Sequence, residues 1–252
     1  MSHKCDFSGE VVIVTGSARG IGRAIATRVA QHGAHVVVAD ILREESEATA
    51  GQISAAGFAA SAYFVDIGQP TSVNDLMESV LERHGRIDAL VNNAGLDAPR
   101  GKAWEIDEAH WRHVIEIDLN GAWWCSRAVL PAMVKQKKGR IIFISSLAAR
   151  LGSKNHSPAY ATAKAGLVGL TVSLSCQVEE FGILVNAITP GPTGNTGYPT
   201  ADDVKRAYVL QQPLGFGGAD PIADGVLYLL GQGGNWISGS VLNISGGLFR
   251  GF

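Results

Sequence analysis

Short apolar runs alternate with helical stretches from one end of the chain to the other. The runs are VVIVTG (11–16), HVVVAD (35–40), SAYFVDI (61–67), ALVNNAG (89–95), RIIFISS (140–146), ILVNAITPG (183–191) and SVLNISGG (240–247). They are rich in Val and Ile and barely alternate between apolar and polar, as strands buried on both faces should. The segments between them, such as GRAIATRVAQHG (22–33) and TSVNDLMESVLERHG (71–85), carry the spacing of amphipathic helices. Strand, helix, strand, repeated, builds a parallel sheet with helices on both faces. No Pro/Ser linker or shift of composition divides the chain. The expectation is an α/β fold of one domain, residues 1–252, doubly wound around about seven strands.

Two long helices are expected over 107–137 and 158–181. Both are apolar over more than one face, in WRHVIEIDLNGAWWCSRAVLPAMV and AYATAKAGLVGLTVSLSCQV. A helix that is apolar nearly all round needs burial on both sides. The sheet can cover one side. The other points to a homo-oligomer, unless later segments of the same chain cover it.

Composition narrows the class. The chain has 252 residues, of which 46% are hydrophobic and 17% charged, with 31 glycines, the balance of a compact globular protein. A formal net charge of -2 suggests neither a nucleic acid nor a membrane surface as partner. The opening MSHKCDFSGE lacks the apolar core of a signal peptide, and no apolar run approaches the length of a membrane span. Cys5, Cys125 and Cys176 are too far apart for a metal-ligand or disulfide framework, so no metal is expected. The default expectation is a cytoplasmic protein with idle thiols.

The first run leads into TGSARGIG (15–22), which places Gly16, Gly20 and Gly22 between a strand and a helix start. There a backbone can approach a pyrophosphate closely, and the helix N-terminus supplies N–H groups and a positive dipole end. Asp40 ends the second run, some twenty residues on, where a carboxylate can accept both ribose hydroxyls of an adenosine. It would repel a 2′-phosphate and so argues for NAD over NADP. Arg19 points the other way, since a guanidinium can pair with that phosphate. Asp40 weighs more, because it stands where the ribose should lie. Asp40 and Asp66 could each instead be a strand-end carboxylate that caps a helix. NNAG (92–95) ends the fourth run, at the edge where ligands of open parallel sheets bind.

Polar residues converge on that same edge: Ser145 and Ser146 after the fifth run, Tyr160 and Lys164 one helical turn apart, Asn120 within an apolar helix, and PGPTG (190–194) after the sixth run. Taken singly, each has an ordinary structural explanation. Taken together, TGSARGIG, NNAG, DLNG, ISS, YATAK and PG stand in the order that resembles the single-domain short-chain dehydrogenases/reductases, over essentially the whole chain. The resemblance implies a Rossmann fold with strand order 3-2-1-4-5-6-7, NAD(P)-dependent interconversion of alcohols and carbonyls, and a tetramer. It implies a catalytic set of Asn120, Ser146, Tyr160 and Lys164, with Asn120 opening its helix locally to hold a water that relays protons from Lys164. The cofactor would rest on Gly16, Ser17, Arg19, Gly20, Ile21, Gly22, Asp40, Asp66, Ile67, Asn93, Tyr160, Lys164, Pro190, Gly191 and Thr193.

The residue types suit that chemistry. A hydroxyl proton must leave as the carbinol carbon gives up hydride. Tyrosine is ordinarily a poor base at neutral pH, with a pKa of about 10. An ammonium one turn away favours the phenolate. Ser146 would donate to the substrate oxygen, and the same tyrosine would serve as acid in the reverse direction. Ser146, Tyr160 and His156 are the candidate substrate contacts. Lys154, Asn155 and His156 would suit a polar, hydroxylated or anionic substrate, Trp104 could line the pocket, and 192–212 is the expected lid. Gln177, Phe216 and Ser245 stand where the family commonly has Glu, Arg and Asp, which bears on packing more than on chemistry. The competing readings are an NADPH-dependent 3-oxoacyl-thioester ketoreductase and a dinucleotide-sensing protein without turnover.

Overall fold

A computed structural model describes residues 5–96, 102–152, 156–194 and 201–251. Its strands are β1 (Val11–Thr15), β2 (His35–Asp40), β3 (Ala60–Phe64), β4 (Ala89–Asn92), β5 (Gly139–Ile144), β6 (Ile183–Pro190) and β7 (Val241–Ile244). They form one seven-stranded sheet in the order β3-β2-β1-β4-β5-β6-β7, and every neighbouring pair is parallel. This is the order that the resemblance implies. The helices are α1 (Gly20–Gln31), α2 (Arg43–Ala55), α3 (Pro70–His84), α4 (Glu108–Ile115), α5 (Gly121–Gln136), α6 (Pro158–Val178), α7 (Asp202–Gln211) and α8 (Asp220–Leu230).

Successive strand residues feed two apolar layers. Ile13, Ile141 and Phe143 point to the face covered by α3, α5 and α6, while Val12, Val14, Ile142 and Ile144 point to the face covered by α1, α2 and α8. Both faces are covered over β1, β2, β4, β5 and β6, which is why those strands read as nearly unbroken apolar runs, while the edge strands β3 and β7 are only half-buried. The helix ends follow local chemistry. On α3, Pro70 occupies the first turn, where its missing N–H costs nothing, and Gly85 takes the left-handed conformation just past the end. On α6, Ser157 caps the start by accepting the Ala159 N–H at 3.2 Å, with Pro158 following.

The helix expected over 107–137 is not regular. Between α4 and α5 the segment Glu116–Asn120 forms a π-turn, in which the Gly121 N–H bonds to the Glu116 carbonyl. One extra residue per turn shifts the phase of everything on it, and such turns frequently occur at functional sites. The turn packs on α6. The outward face of α6 (Ala165, Gly169, Val172) stays exposed, and the described later segments of the chain do not cover it. Among the described residues no helix is long and apolar enough to cross a membrane.

Between β1 and its neighbours the chain reverses direction: β2 and β3 lie to one side, β4 to the other. After β1 the chain crosses to the face covered by α1 and after β4 to the face covered by α5, and in open parallel sheets the crevice that takes a ligand lies at such a point of the carboxyl edge. The fully buried Phe143 lies on β5, close to the middle of that sheet. Phe143→Ala should lower unfolding free energy by about 3–5 kcal/mol, read from urea denaturation.

Candidate active site

The loop after β1 is shaped by close backbone packing. Gly16 has φ 64, and a Cβ there would lie 2.6 Å from the Ala94 Cα. A Cβ on Gly22 would run into the Gly16 carbonyl. Arg19 is extended at the start of α1, where no side chain caps the helix and no acidic residue occupies the first turn. The first N–H groups of α1 thus face the crevice in a form suited to an anion. Ser17 and Asn93, expected as cofactor contacts, are engaged with the protein. The Ser17 hydroxyl donates to the Val14 carbonyl at 2.6 Å and accepts the Ala39 N–H at 3.1 Å. The Asn93 amide donates to the carbonyls of Thr15 and Gly16, at 3.0 and 2.9 Å. Their side chains brace the loop. Ile21 lies half-buried at the start of α1 beside them.

Asp40 is buried at the end of β2. Its two carboxylate oxygens accept the N–H groups of Ala18 and Leu42, at 3.0 and 3.1 Å. This fixes a carboxylate beside the glycine loop, and each oxygen keeps a lone pair for another donor. Asp66 accepts the Gly68 N–H at 3.0 Å in the turn after β3. The Ile67 side chain is buried against Gly121, where a Cβ would lie 2.8 Å from its Cδ1, so only its backbone can face a ligand. At the end of β6, Pro190 and Thr193 are buried, and the Gly191 N–H bonds to the Ile244 carbonyl at 2.9 Å. Gln212 donates to the carbonyls of Pro192 and Ser245, tying the end of α7 to this strand end. A glycine loop, an uncapped helix start and a fixed carboxylate in one crevice fit a dinucleotide.

The two serines after β5 separate in role. Ser145 is buried and donates to the Lys164 carbonyl at 2.7 Å, so it anchors α6 to the sheet. Ser146 is half-buried, its hydroxyl oxygen accepting the Ala148 N–H at 3.1 Å, and it begins a short turn that packs on α6. Tyr160 lies in the first turn of α6, half-buried, with the His156 ring 6.1 Å from its own in an edge contact. Lys164, 5% exposed, has its Nζ 5.6 Å from the Tyr160 ring centre and 3.4 Å from the Ile144 carbonyl.

Asn120 is engaged within the π-turn. Its amide donates to Glu116 Oε2 at 2.7 Å, and Glu116 also accepts the Trp124 indole N–H. The residue of DLNG that the π-turn brings to Lys164 is Asp118, 1% exposed, with Oδ1 3.7 Å from Nζ. Oδ1 also accepts the Leu96 N–H at 2.7 Å. Burial pushes the Asp118 carboxyl up from its ordinary range, and the Lys164 ammonium and the Leu96 N–H hold part of that rise back. Gly95 lets β4 approach: a Cβ there would strike Asp118 Oδ1 and lie 3.0 Å from Nζ. Sequence reasoning missed Asp118, although a carboxylate and an ammonium, each set among apolar helix residues, signal a buried pair. Lys154 and Asn155 lie outside the described residues, as does the 195–200 part of the expected lid, and Trp104 is 81% exposed.

The pattern of the family described as short chain dehydrogenase matches residues 10–203. The chain belongs to the short-chain dehydrogenase/reductase family. It is 37% identical over 245 residues to the (2S)-((R)-hydroxy(phenyl)methyl)succinyl-CoA dehydrogenase subunit BbsD of Thauera aromatica, covering 96% of this chain and 98% of that one. It is 34% identical to the 3-oxoacyl-(acyl-carrier-protein) reductase FabG of Escherichia coli, covering 97% of this chain and 99% of that one. A solved structure described as a short-chain dehydrogenase/reductase from Burkholderia xenovorans superimposes with a TM-score of 0.91 at 30% identity, over 97% of this chain and 98% of that one. Like its family, the protein is an NAD(P)-dependent oxidoreductase acting on CH–OH groups.

Asn93→Ala removes two hydrogen bonds that shape the glycine loop of this dehydrogenase. It should cost about 1–3 kcal/mol of stability and weaken dinucleotide binding, read by urea unfolding and by fluorescence titration with NAD.

Proposed function

We propose that this dehydrogenase oxidises a secondary alcohol with NAD, using Tyr160 as general base, and that the observation carrying the choice of NAD is Asp40. Its carboxylate is held by two backbone N–H groups beside the glycine loop, where it can accept ribose hydroxyls and repels a 2′-phosphate. The pyrophosphate would lie on the start of α1, over Gly16, Arg19, Gly20, Ile21 and Gly22. Asp66, the backbone of Ile67, Pro190, Gly191 and Thr193 would line the rest of the cofactor's path. The bound nicotinamide would accept the hydride.

Tyr160 takes the hydroxyl proton, and the Lys164 ammonium next to its ring stabilises the negative charge that the phenolate carries. Ser146 donates to the substrate oxygen and holds it toward Tyr160. His156, edge-on to Tyr160, lines the substrate side. Residues 192–212 act as the lid that keeps water from the reaction, with Gln212 as its fixed end. The whole chain works as a single domain, and the exposed apolar face of α6 supports assembly into a homotetramer.

A second reading is an NADPH-dependent reductase of 3-oxoacyl thioesters, favoured by the 34% identity to FabG. Asp40 opposes it. Turnover with NAD and with NADP, across a panel of secondary alcohols and ketones that includes a 3-oxoacyl thioester, separates the two. NAD should be preferred, and Asp40→Ala should narrow that preference; a strong preference for NADP in the unaltered protein would sink the reading.

Tyr160→Phe should lower kcat by about 10²–10⁴ while NAD still binds, which also distinguishes an enzyme from a dinucleotide sensor. Ser146→Ala should lower kcat by about 10²–10³. Ser145→Ala should instead lower stability by about 1–3 kcal/mol, read from thermal or urea unfolding.

A further inference from the structure

Behind Tyr160 two opposite charges are buried together, and only one of them is needed to favour a phenolate. Lys164 supplies that one. Asp118 works against it. Asp118 Oδ1 lies 3.7 Å from Lys164 Nζ and accepts the Leu96 N–H, while Oδ2 is buried with no hydrogen-bond partner among the described residues. Holding the turn does not require a charge, because the amide oxygen of an asparagine could accept the same N–H. What asparagine could not supply is the negative charge.

The surroundings leave that charge only partly answered. From α6 come Lys164 and Tyr160. From α4 comes His113, whose influence on Asp118 is the weakest among the groups that act on it. On the π-turn itself Glu116 is turned to Asn120 and Trp124, and the segment after β4 brings only uncharged groups to the pair, Gly95 and the Leu96 N–H. From β5 comes only the Ile144 carbonyl, which accepts from Nζ. The ammonium is therefore shared between a carbonyl, a carboxylate and the Tyr160 ring.

We infer that Asp118 is a positioning residue and counter-charge for the Tyr160–Lys164 couple: it holds the ammonium beside the Tyr160 ring and raises the pH at which Tyr160 can accept the alcohol's proton. The inference rests on the reading of Tyr160 as base. The step is the ordinary one for the family. The hydroxyl proton passes to the phenolate oxygen, the carbinol hydrogen leaves with its electron pair to the oxidised dinucleotide, and the O–H electron pair becomes the carbonyl bond. The carboxylate takes no part in bond making. It opposes negative charge on Tyr160, so that the couple works at a higher pH than it would with a neutral residue at 118.

Asp118→Asn tests this, since it removes the charge and keeps the shape. Two readouts are used. One is the phenolate absorbance of the unliganded protein, titrated with and without Asp118→Asn, each minus its Tyr160→Phe counterpart. The other is the pH profile of kcat for oxidation of the best secondary alcohol in the panel. The titration midpoint and the rising limb of kcat should both move to lower pH, by about one unit, with KM for NAD unchanged. A structural role alone would lower kcat at every pH and leave both positions fixed, which overturns the inference.

Should Asp118→Asn not fold, Asp118→Ser carries the same test. Failure of both to fold would assign Asp118 to the fold alone and also overturn it. Tyr160→Phe separates the two levels of the argument. If that variant keeps full activity, the reading of Tyr160 fails and the inference falls with it. If it is inactive but Asp118→Asn moves neither curve, only the inference fails.

Discussion

A lysine ammonium 5% exposed is the constraint around which the site is built. Removing an ammonium from water is costly unless other groups replace its hydration. Lys164 finds that replacement in three places: the Ile144 carbonyl at the end of β5, the Asp118 carboxylate on the π-turn, and the face of the Tyr160 ring. Each comes from a different element, so the charge fixes their mutual position. Ser145 closes the arrangement by bonding from the end of β5 to the Lys164 carbonyl. Gly95 completes it from β4, where any side chain would collide with the pair. The polar ends of β4 and β5 and the start of α6 thus form one unit.

Most of the architecture was legible in the sequence because it follows from burial. Strands covered on both faces must be apolar at every position, and those unbroken runs marked all seven. Their order came from resemblance, since periodicity says nothing about which strands are neighbours. The glycines were legible too, because Gly16 and Gly22 stand where no Cβ fits. The direction of side chains was less legible. Ser17 and Asn93 lie in the two loops that their motifs predict, and the side chain of each hydrogen-bonds to the protein. A motif fixes where a residue lies along the backbone, and hydrogen-bond competition decides which way it points.

Asn120 shows the same limit more sharply. Two residues apart on a helix means nearly opposite faces, so choosing between Asp118 and Asn120 depends on helical phase. A regular helix from 107 to 137 would give one phase, and the π-turn at Glu116–Asn120 gives another. Nothing in the residue spacing announces a π-turn. What the sequence did offer was compositional. IEIDLNGAWW sets two acidic residues, Glu116 and Asp118, among apolar ones, and AYATAKAGL sets one basic residue in the same way. Buried charges of opposite sign in one domain tend to find each other.

The two buried aspartates of the crevice separate two uses of one residue type. Asp40 and Asp118 each accept a backbone N–H from a neighbouring loop, and Asp40 accepts a second from Leu42. Asp40 has both oxygens so engaged, and no ammonium pairs with it among the described ion pairs. Its negative charge is left for what enters the crevice, which is the basis of the selection for NAD proposed above. Asp118 has one oxygen engaged and an ammonium within 3.7 Å, so its charge is directed at another side chain. The field that Lys164 exerts on Tyr160 is therefore the field of a partly compensated ion pair, which is weaker than that of a bare ammonium. On the reading proposed above, charge placement at one end of the crevice governs which cofactor enters, and at the other end the pH at which the chemistry runs.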